Sequence, residues 1–247
     1  MEINGEKVIP RFRRESLKCN CEKHGLFTTM WFVDKDDMPI GTPICPKCKE
    51  EEDAIEREET SRLYLQNLIK SSLIESDVPE DNIESRFSNF NATTDYMKEK
   101  VEICKKFAEK DNIYPSCLCF LGKTGTGKTH LAVSILASTI VDAIRNHRQE
   151  DKIKYTRASE LMREYQTYDL LVIDELGRFL QGDYATSLVQ EIIAYRIESS
   201  RKTILILNGT FQDLKQIVGE HIISRLTEKG KSLRFDEEDY RKINPKT

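Results

Sequence analysis

No run of apolar residues in this 247-residue chain approaches the roughly 18 that a membrane-spanning helix needs, so no membrane span is expected. Met1 to Ser16 has no apolar core and does not read as a secretory signal. The expected setting is therefore the cytoplasm, where thiols stay reduced. The seven cysteines then read as metal ligands or small core residues rather than as a disulfide framework. Excess positive charge is missing too: a net charge of −4 argues against a broad basic coat for nucleic acid and leaves room only for local patches. There is no internal repeat, and 247 residues suffice for one good-sized core plus a small module.

Four cysteines gather near the start. Cys19-Asn20-Cys21-Glu22-Lys23-His24 is followed by Cys45-Pro46-Lys47-Cys48. Cys21 with His24, and Cys45 with Cys48, make two close pairs of N/S ligands, the set that tetrahedral Zn²⁺ requires. We expect Cys21, His24, Cys45 and Cys48 to hold zinc, with Cys19 as a possible substitute. Four protein ligands would leave no open position, so the site would be structural. A module this small would hardly fold without its metal. Trp31 and Phe32 lie between the pairs, where they either pack beneath the site or form a docking surface.

An acidic stretch from Glu50 to Glu59 runs into Leu63, Leu65, Leu68, Ile69 and Leu73, predicting one charged helix with an apolar C-terminal part. Ser76 to Asn91 contains Pro79 and several polar residues and reads as a linker.

The most specific signal is Gly122-Lys123-Thr124-Gly125-Thr126-Gly127-Lys128-Thr129. It matches the phosphate-binding loop G-x-x-x-x-G-K-[ST], and it sits between an apolar strand, Ser116 to Leu121, and an apolar-faced helix, as that motif demands. Its glycines let backbone N–H groups converge on an anion, and the new helix adds its positive end. Lys128 would reach the β- and γ-phosphates, and Thr129 would offer its hydroxyl to Mg²⁺.

Further strands are expected at Lys152 to Thr156, Asp169 to Asp174, Thr203 to Leu207 and Ser232 to Phe235. Helices are expected at Lys98 to Glu109, after the loop, and at Ser187 to Ser199. Buried strands alternating with helices predict an α/β fold, a parallel sheet flanked by helices, with ligands at the carboxyl ends of the strands. Leu171-Val172-Ile173 ends there in Asp174 and Glu175. Asp174 would hold Mg²⁺ through its water shell, and Glu175 would orient the attacking water. Asn208 is either a contact to the γ-phosphate or attacking water, or half of an Asn-Gly turn.

Together these segments resemble a family. The phosphate loop, Val172 to Gly177, Asn208-Gly209-Thr210, Gly219 to Leu226 and Asp239-Tyr240-Arg241 are similar to the AAA+ ATPases of the DnaC/IstB group, over about residues 86 to 242. That group contains bacterial helicase loaders and transposition helper ATPases. The resemblance implies a P-loop AAA+ sheet, ATP with Mg²⁺, and further roles. Asn208 would be the sensor 1 asparagine, Arg225 the arginine finger that reaches a neighbouring subunit's ATP, and Arg241 a sensor 2 arginine. It also implies self-association. Loaders of this group usually carry a longer helical insertion before the acid-ending strand. Only Arg157 to Tyr168 stands there, which weakens the case for DNA contact at that place.

The expected organisation is a zinc-binding partner-recognition module at 1–49, a charged helix and linker at 50–85, and an AAA+ ATPase domain at 86–247. The expected function is an ATP-dependent loader of a hexameric replicative DNA helicase, working on single-stranded DNA. The alternatives are a transposition helper ATPase and a nucleotide-gated adaptor with negligible hydrolysis. Two basic stretches, Lys98 to Lys110 and Arg145 to Lys154, read either as phosphate-tracking or as solvated faces. Phe87, Phe90 and Tyr96 read either as adenine contacts or as core.

Overall fold

The computed structural model describes residues 2–3, 6–7, 13–34, 36–109, 115–147, 152–177 and 183–237. The chain divides into two compact units, Met1–Tyr64 and Leu65–Thr247.

The first unit contains two very short paired strands, β1 (Glu2–Ile3) and β2 (Glu6–Lys7), and a longer antiparallel ribbon, β3 (Arg13–Cys21) with β4 (Gly25–Val33). Gly25, at φ 74°, takes the left-handed conformation just after the turn that joins β3 to β4. The Trp31 indole N–H donates to the Ile40 carbonyl at 2.9 Å, while Phe32 stays exposed, with the Arg14 guanidinium 4.8 Å from its ring centre. Trp31 is therefore tied into the module, whereas Phe32 lies on its surface.

The long helix α1 spans Pro46–Glu75. It begins earlier than the acidic stretch suggests because Pro46 stands at its first position, where proline's fixed φ suits a helix and its missing N–H costs nothing. The second cysteine pair is therefore a helix start rather than a separate knuckle. Within the second unit, the end of α1 buries Ile69 and Leu73.

The second unit is built on a five-stranded parallel sheet in the order β6-β7-β8-β5-β9. Its strands are β5 (Cys117–Gly122), β6 (Ile153–Arg157), β7 (Leu170–Asp174), β8 (Lys202–Leu207) and β9 (Gly230–Phe235). Among the described residues, the end of α1 and five further helices complete it: α2 (Asp95–Ala108), α3 (Lys128–Arg145), α4 (Asp183–Glu198), α5 (Phe211–Val218) and α6 (Glu220–Lys229). Alternation along each strand feeds two cores. On β5, Leu118 and Phe120 join one core with α2, α3 and the end of α1, while Cys117, Cys119 and Leu121 join the other with α4, α5 and α6.

The segment expected to be a linker is packed rather than loose. Val78 and Ile83 are buried in the first core, with a 3-10 turn at Glu80–Asn82 between them and a second at Phe87–Asn89 after them. Its polar residues serve tight turns, a role that composition does not distinguish from a flexible linker.

The short passage from β6 to β7 holds only two 3-10 turns, Ala158–Glu160 and Arg163–Thr167. Arg196 of α4, fully buried, fixes it. Its guanidinium donates to the carbonyls of Tyr165, Gln166 and Tyr168 at 3.1, 3.1 and 2.6 Å, to Lys202 O at 2.6 Å and to Thr203 Oγ1 at 2.9 Å. Burial pushes the Arg196 pKa down to about 9. Among the described residues, no helix is long and apolar enough to cross a membrane.

Candidate functional sites: a nucleotide cleft and a Cys/His cluster

The phosphate loop leaves the carboxyl end of β5 and turns directly into α3. Gly122 (φ 140°) and Gly127 (φ 90°) both take conformations that a side chain would strain. A Cβ would lie 2.1 Å from the Phe235 carbonyl oxygen at Gly122 and 2.6 Å from the Phe90 ring at Gly127. The loop thus faces a cleft of about 1620 Å³, lined by Thr124 to His130 and reached by Asp174, Glu175 and Asn208.

Lys128 is buried within the loop, donating to the carbonyls of Gly122, at 3.1 Å, and Lys123. Desolvation lowers its pKa to about 8 against a partial restoring effect from Asp174. Its direct hydrogen bonds go to neutral groups of the loop, an arrangement a phosphate would relieve. The Thr129 hydroxyl donates to Asp174 Oδ2 at 3.2 Å, and the Glu175 N–H donates to Asp174 Oδ1 at 2.6 Å. A hydroxyl and a carboxylate this close form the hard oxygen set that Mg²⁺ takes beside a triphosphate, so these residues fit the ion.

Glu175 has φ 56°, the left-handed region, at a cost of roughly 1–2 kcal/mol for a residue with a Cβ. The following Leu176 N–H, bound to Ile206 O at 3.1 Å, holds the turn. Arg157 Nε stands 3.8 Å from Glu175 Oε2. Asn208 lies one residue beyond β8 and lines the same cleft, and the next turn is fixed by Thr210, which caps α5 in a reciprocal box with Asp213.

Arg225 is not among the residues lining this cleft. It lies on α6, where it pairs with Glu198 at the end of α4. Arg241 lies outside the described residues. Phe90 both lines the cleft and packs against the core. Phe87 packs against the core, and Tyr96 is exposed.

Of the two basic stretches, Lys110 and Arg148 lie outside the described residues. Two of the other residues fit neither sequence reading. Lys100 is buried, paired with Glu237 and close to the rings of Tyr96 and Phe235. Lys154 pairs with Asp77 at 2.5 Å.

The sequence reading missed one residue that acts on the cleft through Asp174. Tyr155, buried on β6, donates its hydroxyl to Asp174 Oδ2. Nothing in the motif marks a tyrosine on a neighbouring strand.

In the first unit, the donor atoms of Cys21, His24, Cys45 and Cys48 all lie within 4.8 Å of one another. Cys21 Sγ is 3.5 Å from Cys48 Sγ, and His24 Nδ1 is 3.8, 3.7 and 3.3 Å from the sulfurs of Cys21, Cys45 and Cys48. A tetrahedron with Zn–S bonds of about 2.3 Å has edges of about 3.8 Å, so this Cys₃His set fits Zn²⁺. Cys19 sits opposite Phe27 on the ribbon and is not part of the cluster.

Two features tune the cluster. The backbone N–H groups of His24 and Lys23 hold the Cys21 thiol down to about 6, favouring thiolate, while the hydrogen bond to Cys21 pushes Cys48 up to about 11. The second feature is a carboxylate that sequence reasoning missed: Glu51 lies 3.3 Å from His24 Nε2 and 2.6 Å from Lys23 Nζ. It would fix the ring so that Nδ1 faces the sulfurs, the usual outer-shell partner of a metal-bound histidine. Glu51 falls one helical turn after Cys48, a spacing that only the helix start at Pro46 makes meaningful.

Comparison with known proteins agrees with this geometry. The sequence profile of the family described as IstB-like ATP binding protein matches residues 88–247. The chain is 28% identical over 204 residues to the replicative helicase loader DnaC of Buchnera aphidicola subsp. Acyrthosiphon pisum, covering 74% of this chain and 83% of that protein. The crystal structure of the DnaC helicase loader superposes with a TM-score of 0.54 at 20% identity, covering 64% of this chain and all of that one. That of DnaI superposes at 0.52 and 18% identity, covering 66% and 94%. These likenesses show the fold, a P-loop parallel sheet flanked by helices.

Proposed function

The chain belongs to the IstB-like ATP binding protein family, and from that premise we propose that it is an ATP-dependent loader of a replicative DNA helicase. The observation that carries the reading is the cleft at the carboxyl ends of β5, β7 and β8. There Lys128, Thr129, Asp174, Glu175 and Asn208 come together in a chain whose relatives include proteins named replicative helicase loader.

In this reading Gly122 to Thr129 cradles the phosphates of ATP, and Lys128 leaves its loop carbonyls for the β- and γ-phosphates. Thr129 and Asp174 would hold Mg²⁺, which supplies charge neutralisation when bound. Glu175 orients the attacking water, and Asn208 senses the γ-phosphate. Arg225 acts on the nucleotide of a neighbouring subunit, so turnover requires self-association, and its place on α6, half-exposed and away from its own cleft, supports that role. Arg241 would complete the site from the same chain. The module at 1–49, held by zinc through Cys21, His24, Cys45 and Cys48, recognises the hexameric helicase. Residues 50–85 connect it to the ATPase domain at 86–247, which contacts single-stranded DNA during loading.

A transposition helper is the second reading, favoured by the family's description as IstB-like. Capture from the host with the full chain as bait separates the two. Recovery of the replicative helicase is the expected result. Recovery of a transposase instead would overturn the loader. Steady turnover that Glu175→Gln abolishes would exclude an adaptor with negligible hydrolysis.

A further inference from the structure

Asp174 is held on both oxygens. Oδ1 accepts the Glu175 N–H at 2.6 Å, and Oδ2 accepts two hydroxyls, those of Thr129, at 3.2 Å, and Tyr155. The two hydroxyls differ in what ATP·Mg²⁺ asks of them. Thr129 is the loop residue whose oxygen would turn to the metal. Tyr155 has no such duty, because it stands on the neighbouring strand, opposite Val172 in the register and diagonal to Asp174.

Tyr155 is also anchored at its other end. Its ring is buried in the core on the α3 side of the sheet. Its backbone N–H, on the open edge of the sheet, donates to the Ser76 carbonyl at 2.8 Å, just past the end of α1. The adjacent Lys154 pairs with Asp77 at 2.5 Å and reinforces the same junction. The phenol is thus fixed by core packing, by a backbone hydrogen bond and by the carboxylate it serves. Burial and the neighbouring Asp174 charge push its pKa well above the ordinary tyrosine value, so the hydroxyl remains a donor across the working range of pH.

We propose that Tyr155 is a positioning residue that holds the Asp174 carboxylate in its metal-facing orientation, including after Thr129 has left it for the metal. The proposal rests on the nucleotide-binding reading above. A buried carboxylate with one anchored oxygen and one hydroxyl donor cannot rotate without losing a charge-assisted bond. Without Tyr155 the same carboxylate would be held on that oxygen by Thr129 alone, the very group that the metal competes for.

The test is Tyr155→Phe, which keeps the ring and removes one oxygen. A fluorescent ADP analogue is titrated with the full chain in EDTA and over a series of Mg²⁺ concentrations. Affinity in EDTA should stay within about twofold of the parent, whereas the Mg²⁺ needed for half-maximal effect should rise about tenfold or more, the usual weight of a hydrogen bond to a charged group. In an Asp174→Asn background, Tyr155→Phe should add no further change, because it acts through that carboxylate.

An unchanged Mg²⁺ requirement in folded Tyr155→Phe would overturn the proposal, as would an equal loss of affinity with and without Mg²⁺, the mark of a merely structural role. Absence of any Mg²⁺ response in the parent would sink the metal reading itself, and the proposal with it. Should Tyr155→Phe fail to fold, 3-fluorotyrosine placed at position 155 serves instead. Its fluorine resonance should move with ADP plus Mg²⁺ and not with ADP alone, and a signal indifferent to Mg²⁺ would overturn the assignment.

Discussion

The described residues of the first unit bury two apolar side chains, Val33 and Cys45, whereas the second unit buries complete layers on both faces of its sheet. Their sites differ in the same sense. The four donors of the Cys/His cluster surround one another at the edge lengths of a zinc tetrahedron. In the nucleotide cleft the donors are already partnered within the protein: Lys128 by loop carbonyls, Asp174 by Thr129, Tyr155 and Glu175. One region has little buried apolar area of its own, and the other is built on a large core and keeps its ligand groups in reserve. Removing the ligand should therefore unfold the first and leave the second intact.

The largest effect tests that contrast directly. Structural zinc contributes on the order of 10–16 kcal/mol to small metal-dependent modules, far more than the few buried side chains of this one. Chelation of the full chain under reducing conditions should cost residues 13–45 their amide-exchange protection while β5 to β9 keep theirs. Nucleotide affinity should hardly change. Cys48→Ser should reproduce the loss. Equal protection of the ribbon with and without chelator would break the comparison.

How much of this was legible in sequence follows a physical divide. The phosphate loop was readable because backbone geometry, helix start and charge are all written within eight contiguous residues, two of whose glycines, Gly122 and Gly127, have no room for a Cβ. The strands were readable because a sheet covered on both faces demands unbroken apolar runs. The four-residue cluster was readable because its two pairs are local. What escaped was set through space. Tyr155 matters because β6 lies beside β7, Glu51 because α1 starts at Pro46, and Arg196 because the β6–β7 passage folds back onto α4. The packed segment 76–91 escaped for another reason, since turn-forming residues look alike in a linker and in a tight corner.

A second prediction sharpens the account of the cleft. If one chain supplies every group except the finger, Arg225→Ala should bind ATP normally yet lose hydrolysis by about 10³-fold or more, the weight of such an arginine elsewhere. Mixing Arg225→Ala with Glu175→Gln subunits should restore part of the turnover, because some mixed interfaces then pair the intact cleft of one subunit with the intact arginine of the other. Normal turnover by Arg225→Ala alone would remove the arginine from the site and leave the cleft self-sufficient.

The smallest effect concerns the reserve held at Lys128. With no phosphate present its pKa is lowered from 10.5 to about 8 by desolvation. Bound phosphates stabilise the ammonium and raise that value. Well below pH 8 the amine is already protonated, so binding exchanges almost no proton and affinity is flat. Above it, binding must take up a proton, and affinity should fall by up to about tenfold per pH unit until the raised pKa is reached. Calorimetry of ADP binding at about pH 7.5 and about pH 9, in buffers of different ionisation heat, reads the uptake directly. ADP is almost fully ionised over that range, and its residual proton would be released rather than taken up, so the uptake belongs to the protein. Affinity that stays constant or rises with pH would mean that Lys128 is charged and solvated before the nucleotide arrives. The cleft would then hold its ligand group already charged, with nothing kept in reserve.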